Sequence, residues 1–518
     1  MPVAGPNKAV VLTLTCLVQF MVVLDVAIVN VALPSIQRDL DLAQGTLQWL
    51  VISYALLLGG FLLLGGRMAD LVGRRRILMT GLVLFSGASL VAGLGQSAGV
   101  IIAARGVQGF GAALMAPAAL SILAVTFADG AERNRALGIF GAVGGSSASV
   151  GVIASGLLTD GPSWRWVFFI NVPVGVILLA LAATLLARDE PRERQRRFDV
   201  VGATTVTAGL LVLVYALNRA ADYGWTSAST LSLFAGAAVL LALFIGVEAR
   251  TAEPLIPARV VKSRALVVAN SMAFFAFGGF FSFIFLGSLL MQQVLGYSAT
   301  RTGVSWLATS ATAFVIAGIT GARLIETVGA RRLLMTAMGS LALSAFWLTR
   351  VPSDASYATD LLPAFVLAGI AIGLASVSVQ ISALTGVSGS AAGLASGLVE
   401  TMREIGGAVG VAAVSTVLIS GAGNIGGPVD PARAEAVLDT FQKAFIVIAV
   451  FAILGGVLAT VGFSRAAKQT EVSGDEYLEA HLHAGTRDLI VDLAASDANS
   501  ALPHLAVDVH QVAQRVPE

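Results

Sequence analysis

Apolar residues in this chain do not alternate with polar ones but arrive in long runs, of which Val51 to Leu64 and Ala235 to Val247 are solid blocks. A strand of a membrane barrel would instead show about 10 residues of alternating character. Runs of this kind, at about 1.5 Å per residue, cross a hydrocarbon layer of about 30 Å as helices. Read between charged or turn-rich breaks, the pattern predicts fourteen spans, near 9–33, 46–66, 77–95, 99–127, 135–158, 164–187, 200–218, 227–247, 264–292, 301–322, 333–350, 360–384, 391–420 and 441–463. The expected class is an all-α polytopic membrane protein.

Composition agrees with the pattern. Of 518 residues, 56% are hydrophobic and 12% charged, and the mean hydropathy is +0.85, whereas soluble domains carry roughly 25% charged residues. The net charge of +1 is a sum over two membrane faces and points to no nucleic-acid partner. The single cysteine, Cys16, lies inside the first apolar run, which excludes an internal disulfide and a cysteine-based metal site.

An even number of spans puts both termini on one side. Loops on that side hold Arg67, Arg74, Arg75 and Arg76, then Arg133 and Arg135, the arginines of 188–197, the basic residues of 250–264, and Arg323, Arg331 and Arg332; the opposite loops hold few. Short loops rich in Arg stay cytoplasmic, so both termini are expected inside.

The chain also repeats itself. Gly65-Gly66-Arg67-Met68-Ala69-Asp70-Leu71-Val72-Gly73-Arg74-Arg75-Arg76 aligns with Gly321-Ala322-Arg323-Leu324-Ile325-Glu326-Thr327-Val328-Gly329-Ala330-Arg331-Arg332. Two six-span halves related by an axis along the membrane normal generate such a repeat. The expected organisation is a six-helix bundle over 1–187, linkers with two extra spans over 188–263, a second six-helix bundle over 264–463 and a cytoplasmic tail over 464–518. The mixed-charge segment 188–199 reads as a solvated connection.

Ionisable groups inside the apolar runs carry the candidate chemistry, because a charge in hydrocarbon costs several kcal/mol unless paired or wetted. Asp25 sits in the first span with Asn30 five residues on, and Arg105 sits in the fourth with Gln108 one turn later. A guanidinium is never neutral and needs an acceptor such as Asp25 or backbone carbonyls. In the thirteenth span Glu400, Arg403 and Glu404 share a helical face through spacings of three and four; they read either as titratable sites beside a counter-charge or as a self-neutralising cluster. Asp25, Arg105, Glu400 and Glu404 are the proton-coupling candidates. All four histidines lie in the tail, outside any such relay. The ninth span is rich in phenylalanine; Phe277 and Phe281, with Asn30, Gln108 and Arg403, are the candidates for contacting a greasy substrate, lipid-facing phenylalanine being the alternative. Gly66, Asp70, Gly73, Arg74 and Arg75, with the repeat copy Glu326, are read as a cytoplasmic gate in which the acidic residues latch one half to the other. No nucleotide loop, metal-ligand cluster or nucleophile triad appears in any loop, so an enzyme or an ATP-driven pump is not expected.

At these motifs the chain resembles the major facilitator superfamily, in particular its fourteen-span drug/proton antiporters. GGRMADLVGRRR is similar to the family's loop between spans two and three at Gly66, Asp70, Gly73, Arg74 and Arg75, with Leu71 where a basic residue is usual. IIAARGVQGFGAA is similar to the fourth-span motif, whose arginine, here Arg105, the family assigns to proton coupling. LDVAIVNVALPSI and WRWVFFINVPVG resemble the first-span and sixth-span signatures. The fifth-span antiporter motif is less well matched, reading Gly151-Val152 where the family has Gly-Pro and Ser155-Gly156 where it has Gly-Gly. The resemblance implies roles for Asp25, Glu400 and Glu404 in cation and proton handling. It further implies a monomer in the bacterial cytoplasmic membrane that exports small amphipathic drugs or antibiotics in exchange for protons. Membrane lipids would be its other partners and a proton gradient its only driving force, without a cofactor. A dedicated exporter of a metabolite or lipid, or a proton-independent facilitator, are the alternatives.

Overall fold

The computed structural model describes residues 7–42, 44–161, 163–187, 189, 199–251, 254–256, 263–385, 387, 391–422 and 435–461, which contain helices and turns and no strand. The expected tail over 464–518 and most of both linkers lie outside the described residues. The first half is built from α1 (Lys8–Leu40), α2 (Gln44–Val72), α3 (Arg74–Leu94), α4 (Ala98–Thr126), α5 (Ala131–Asp160) and α6 (Trp166–Leu185). Two further helices follow, α7 (Val200–Tyr223) and α8 (Ala228–Glu248).

The second half begins with α9 (Arg264–Leu289), which runs on through a π-helical turn, Leu290–Val294. The next helix, α10, comprises Ala299–Ser305 and Leu307–Ile319, with a π-helical turn at Thr320–Leu324 and a last turn at Ile325–Val328. After it come α11 (Ala330–Leu348), α12 (Leu362–Leu384), α13 (Ala392–Ala422) and α14 (Glu435–Val461).

Twelve of these helices are long and apolar enough to cross a membrane. The other two, α5 and α11, are 30 and 19 residues long and so of crossing length as well. Among the described residues the architecture is all-helical, with the fourteen long helices that the apolar runs predict.

The helices pack against one another in a defined set of pairs. In the first half α4 lies against α2 and α3, and α1 against α5; in the second, α9 lies against α13, and α12 against α10 and α11. The halves meet along two seams, α2 with α13 and α5 with α10. The hairpin α7–α8 places α7 against both α2 and α13. The two repeat glycines adopt the same special backbone: Gly73 has φ 121° and Gly329 φ 83°, each just before the helix that follows its loop. A side chain is strained at such φ, so the turn between spans requires glycine.

The α5–α10 seam depends on contact without side chains. A Cβ on Gly138 would stand 2.6 Å from the Gly321 Cα and 3.1 Å from the Ala317 carbonyl oxygen, and both obstacles are backbone. Gly321 lies in the π-helical turn of α10, whose widened backbone brings it there. Replacing Gly138 by leucine is expected to cost about 1–3 kcal/mol. The readouts are a lower thermal unfolding midpoint and loss of cysteine cross-linking between α5 and α10 in a Cys16→Ser background; unchanged cross-linking would show that the seam tolerates bulk.

Candidate functional site

The ionisable residues of the apolar runs gather at two buried clusters and one interhelical latch. The first cluster centres on Asp25 of α1, which has no accessible surface. Arg105 of α4, 2% exposed, donates from Nη1 to Asp25 Oδ2 at 2.5 Å and to Gln108 Oε1 at 3.1 Å, and from Nε to the Leu50 carbonyl at 3.1 Å. Asp25 Oδ1 accepts from Asn171 of α6 at 2.7 Å and from Gln108 at 3.2 Å, and Gln108 also donates to Ser89 of α3 at 2.6 Å. Beneath the guanidinium lies Tyr54 of α2, its ring centroid 4.2 Å from Arg105 Cζ. Five helices of the first half therefore converge on one ion pair. A pair this deep is tolerable only because its lone pairs and N–H groups are filled by hydrogen bonds.

Asn171, Ser89 and Tyr54 were not among the residues singled out from the sequence. Asn171 had a signal, as a polar residue in the apolar WVFFINVPVG. Ser89 and Tyr54 had none, since serine and tyrosine are common in apolar helices and only the packing of α2 and α3 aims them here. Asn30 belongs to α1, but its side chain lies outside the described residues.

The second cluster is on α13. Arg403 pairs with Glu400, Nη1 to Oε2 at 3.0 Å, and lies 3.9 Å from Glu404 through Nε. Glu400 is buried, whereas the Glu404 side chain keeps 23% of its surface accessible. Spacing explains the arrangement. Gly393 and Gly397, on the same stripe as Glu400 and Glu404, pack against Gly66 and Leu62 of α2. The acidic pair thus continues the face that looks across the α2–α13 seam, and Tyr54 is within electrostatic reach of Arg403 and Glu404 as well as of Asp25 and Arg105. Gly406 and Gly410 form the other face, against Phe274 and Gly278 of α9. On that side Arg403 Cζ lies 5.1 Å from the Phe277 ring centroid, and Phe277 meets Phe281 edge-on at 5.9 Å. Phe283 instead packs with Trp306, Phe365 and Phe445 in the core of the second half.

The latch lies at the end of the α2–α13 seam near the repeat loop. Asp70 Oδ1 accepts the Gly393 amide at 3.0 Å, and Oδ2 accepts the Leu394 amide at 2.8 Å. These are first-turn amides of α13, which have no partner within the helix and favour a negative charge. Arg74 pairs with Asp70 at 3.2 Å and donates to Ser121 at 2.6 Å. Arg75 donates to the carbonyls of Ala182 and Ala183 at the end of α6. Gly66 is needed for the approach, since a Cβ there would stand 2.2 Å from the Gly393 carbonyl oxygen.

The repeat copy does not mirror this. Glu326 is exposed and has no hydrogen bond or ion pair among the described residues. Two ties missed from the sequence add to the latch. Asp189, in a segment read as solvated connection, accepts the Arg75 and Arg76 amides at 3.2 and 3.0 Å and so caps α3. Arg133 of α5 reaches the Leu384 carbonyl at the end of α12 at 3.4 Å, a further bond across the α5 side of the molecule.

Known proteins resemble the chain in both sequence and fold. The chain is 40% identical over 362 residues to the puromycin resistance protein pur8 of Streptomyces alboniger, covering 68% of this chain and 71% of that one. It is 38% identical over 378 residues to the cephamycin export protein CmcT of Amycolatopsis lactamdurans, covering 73% and 78%. In fold it resembles the human organic anion transporter MFSD10, with a TM-score of 0.63 at 15% identity over 86% of this chain and 100% of that one. The profile of the Major Facilitator Superfamily matches residues 15–411, through both clusters and the latch, and the chain belongs to that superfamily of multi-pass membrane transporters.

Proposed function

We propose that this transporter exports small amphipathic antibiotics or drugs from the cell in exchange for protons, by alternating access between its halves. The observation that carries the reading is the Asp25–Arg105 pair: a carboxylate and a guanidinium with almost no accessible surface, in an apolar bundle, with no ion pair to any other group among the described residues. Such a pair is expensive to assemble and strongly destabilised when one partner changes charge. It therefore suits a switch thrown by a single proton. The names of two relatives, a puromycin resistance protein and a cephamycin export protein, support antibiotics as cargo.

In this reading the arginine-rich face, with both termini, is cytoplasmic, and the Asp70 latch holds that face closed. Glu404, which keeps accessible surface, is the first group a proton reaches. Tyr54 is within electrostatic reach of both Glu404 and Asp25. Protonated Asp25 no longer balances Arg105, whose guanidinium then leans on Gln108 and the Leu50 carbonyl. The helices gathered around the pair rearrange, the Asp70 bonds to α13 break, and the cytoplasmic side opens for cargo and for release of the proton. Phe277 and Phe281, backed by Arg403, offer an apolar surface with charge beside it, suited to amphipathic molecules. The proton gradient drives the cycle without a cofactor, and the chain works as a monomer.

Asp25→Asn is expected to lower pH-gradient-driven efflux of puromycin from proteoliposomes at least roughly tenfold. Because it leaves Arg105 uncompensated, at a cost of about 3–5 kcal/mol, the Asp25→Asn/Arg105→Gln pair serves as a control: it should recover thermal stability without recovering coupled transport. Coupled transport at the original rate in either variant excludes Asp25 from the mechanism.

Asp70→Asn keeps one acceptor but loses the ion pair with Arg74 and one of the two bonds to α13. Charge-assisted bonds of this kind contribute about 1.5–3 kcal/mol each, so the closed cytoplasmic side should be depopulated. Cysteine labelling from that side should rise and the transport rate should fall by about tenfold, with puromycin affinity nearly unchanged; an unaltered labelling rate would show that the latch does not hold the gate.

A further inference from the structure

We infer that the groove between α11 and α14 is a binding site for one anionic phospholipid, with an acyl chain lying between the helices and the phosphate held by Arg331 and Arg332. The groove has a volume of about 280 Å³ and is bounded by Met335, Gly339 and Ala342 on α11 and by Ile453, Val457 and Thr460 on α14. It is away from both charged clusters, on the outer surface of the second half.

Its shape follows from the two helices. They are antiparallel neighbours, so Met335 near the start of α11 lies at the same end as Thr460 near the end of α14. From Met335 to Ala342 the groove runs about 10 Å along the helix axis at about 1.5 Å per residue, parallel to the direction an acyl chain takes in a bilayer. Gly339 makes it a groove rather than a ridge. A Cβ at Gly339 would meet nothing within 4 Å, so the space over this residue is open. Met335 and Met338 line the wall with flexible thioether side chains that adapt to a mobile chain.

What selects the occupant is the charge at the mouth. Arg331 and Arg332 form the first turn of α11, one turn from Met335, and both are exposed. Neither guanidinium has an ion pair or hydrogen bond among the described residues. By the repeat, Arg331 corresponds to Arg75, whose guanidinium is engaged by the carbonyls at the end of α6, and Arg332 to Arg76, whose guanidinium likewise has no hydrogen bond or ion pair among the described residues. The repeat copy keeps its positive charge without the α6 contact that Arg75 makes, and it does so on the turn of α11 that precedes the groove-lining Met335. Two arginines above a chain-wide apolar slot are complementary to a phosphate ester with an acyl tail.

The test uses the full-length protein, delipidated and then exposed to phosphatidylglycerol or phosphatidylcholine with identical acyl chains, with bound lipids counted by native mass spectrometry. The wild-type protein is expected to retain one phosphatidylglycerol in preference to phosphatidylcholine. Arg331→Gln/Arg332→Gln should weaken that retention roughly tenfold and remove the preference. Gly339→Phe, whose side chain enters open space without a backbone clash, should reduce retention of both lipids. Equal retention of phosphatidylglycerol by the wild type and either variant would overturn the proposal. So would a change in the monomer-to-dimer ratio with Gly339→Phe at constant lipid count, which would make the groove a contact between copies of this chain.

Discussion

The rest of the structure depends on one ion pair removed from water. Asp25 and Arg105 lie on helices that a purely apolar surface could pack in many registers, since one leucine against lipid or against another leucine differs little in energy. A buried carboxylate and guanidinium remove that freedom. Each needs its partner, and each remaining lone pair or N–H needs another: Asn171 from α6, Gln108 from α4, Ser89 from α3 and the Leu50 carbonyl from α2. The register of five helices is set by the demand that no charge remain unsatisfied. The same demand makes the pair a sensitive place to add a proton.

Besides acting through space, the acidic cluster is linked mechanically to the ion pair by α13 and its facing helix α2. One stripe of α13 carries Gly393 and Gly397, which let α2 approach, then Glu400 and Glu404. Its first turn supplies the two amides that hold Asp70. One stripe of α2 carries Asp70, Gly66 and Leu62 and ends near Tyr54, which touches the Arg105 guanidinium. A small shift between these two helices would be felt at the latch, at the acidic cluster and at the ion pair together. Both are backbone-to-backbone contacts over several turns, so they slide or separate as units rather than bend.

The extra hairpin α7–α8 occupies a telling position against this seam. Leu211 and Val214 of α7 lie over Gly60 and Gly59 of α2, Tyr215 stacks with Trp49 at 6.0 Å, and Trp225 donates to Thr416 of α13 at 2.5 Å. The inserted helices thus hold one element from each half, the same two that carry the latch. The halves are not equivalent either: the first-half loop is bonded through Asp70, Arg74, Arg75 and Asp189, while Glu326 of the second is exposed. A duplicated motif has kept its glycine turn in both copies and its interhelical bonds in one.

Hydropathy and periodicity alone determined that the chain spans a membrane as helices, about how many, and where each begins, because the cost of exposing backbone or charge to hydrocarbon is large and local. The repeat predicted two similar halves, and the rarity of ionisable residues in apolar runs picked out Asp25, Arg105, Glu400, Arg403 and Glu404 without any neighbour being known. What only the tertiary structure decided is who meets whom. Nothing in the order of residues says that Asn171 reaches Asp25 across 146 positions, that Asp70 finds amides 323 and 324 positions away, or that Asp189 caps α3. Glu326 aligns with Asp70 in sequence yet bonds to nothing comparable, because a carboxylate becomes a latch only where a helix start faces it. The physical reason is range: burial is a property of each segment, whereas a hydrogen bond requires two groups within about 3 Å, and that distance is set by how every other helix packs.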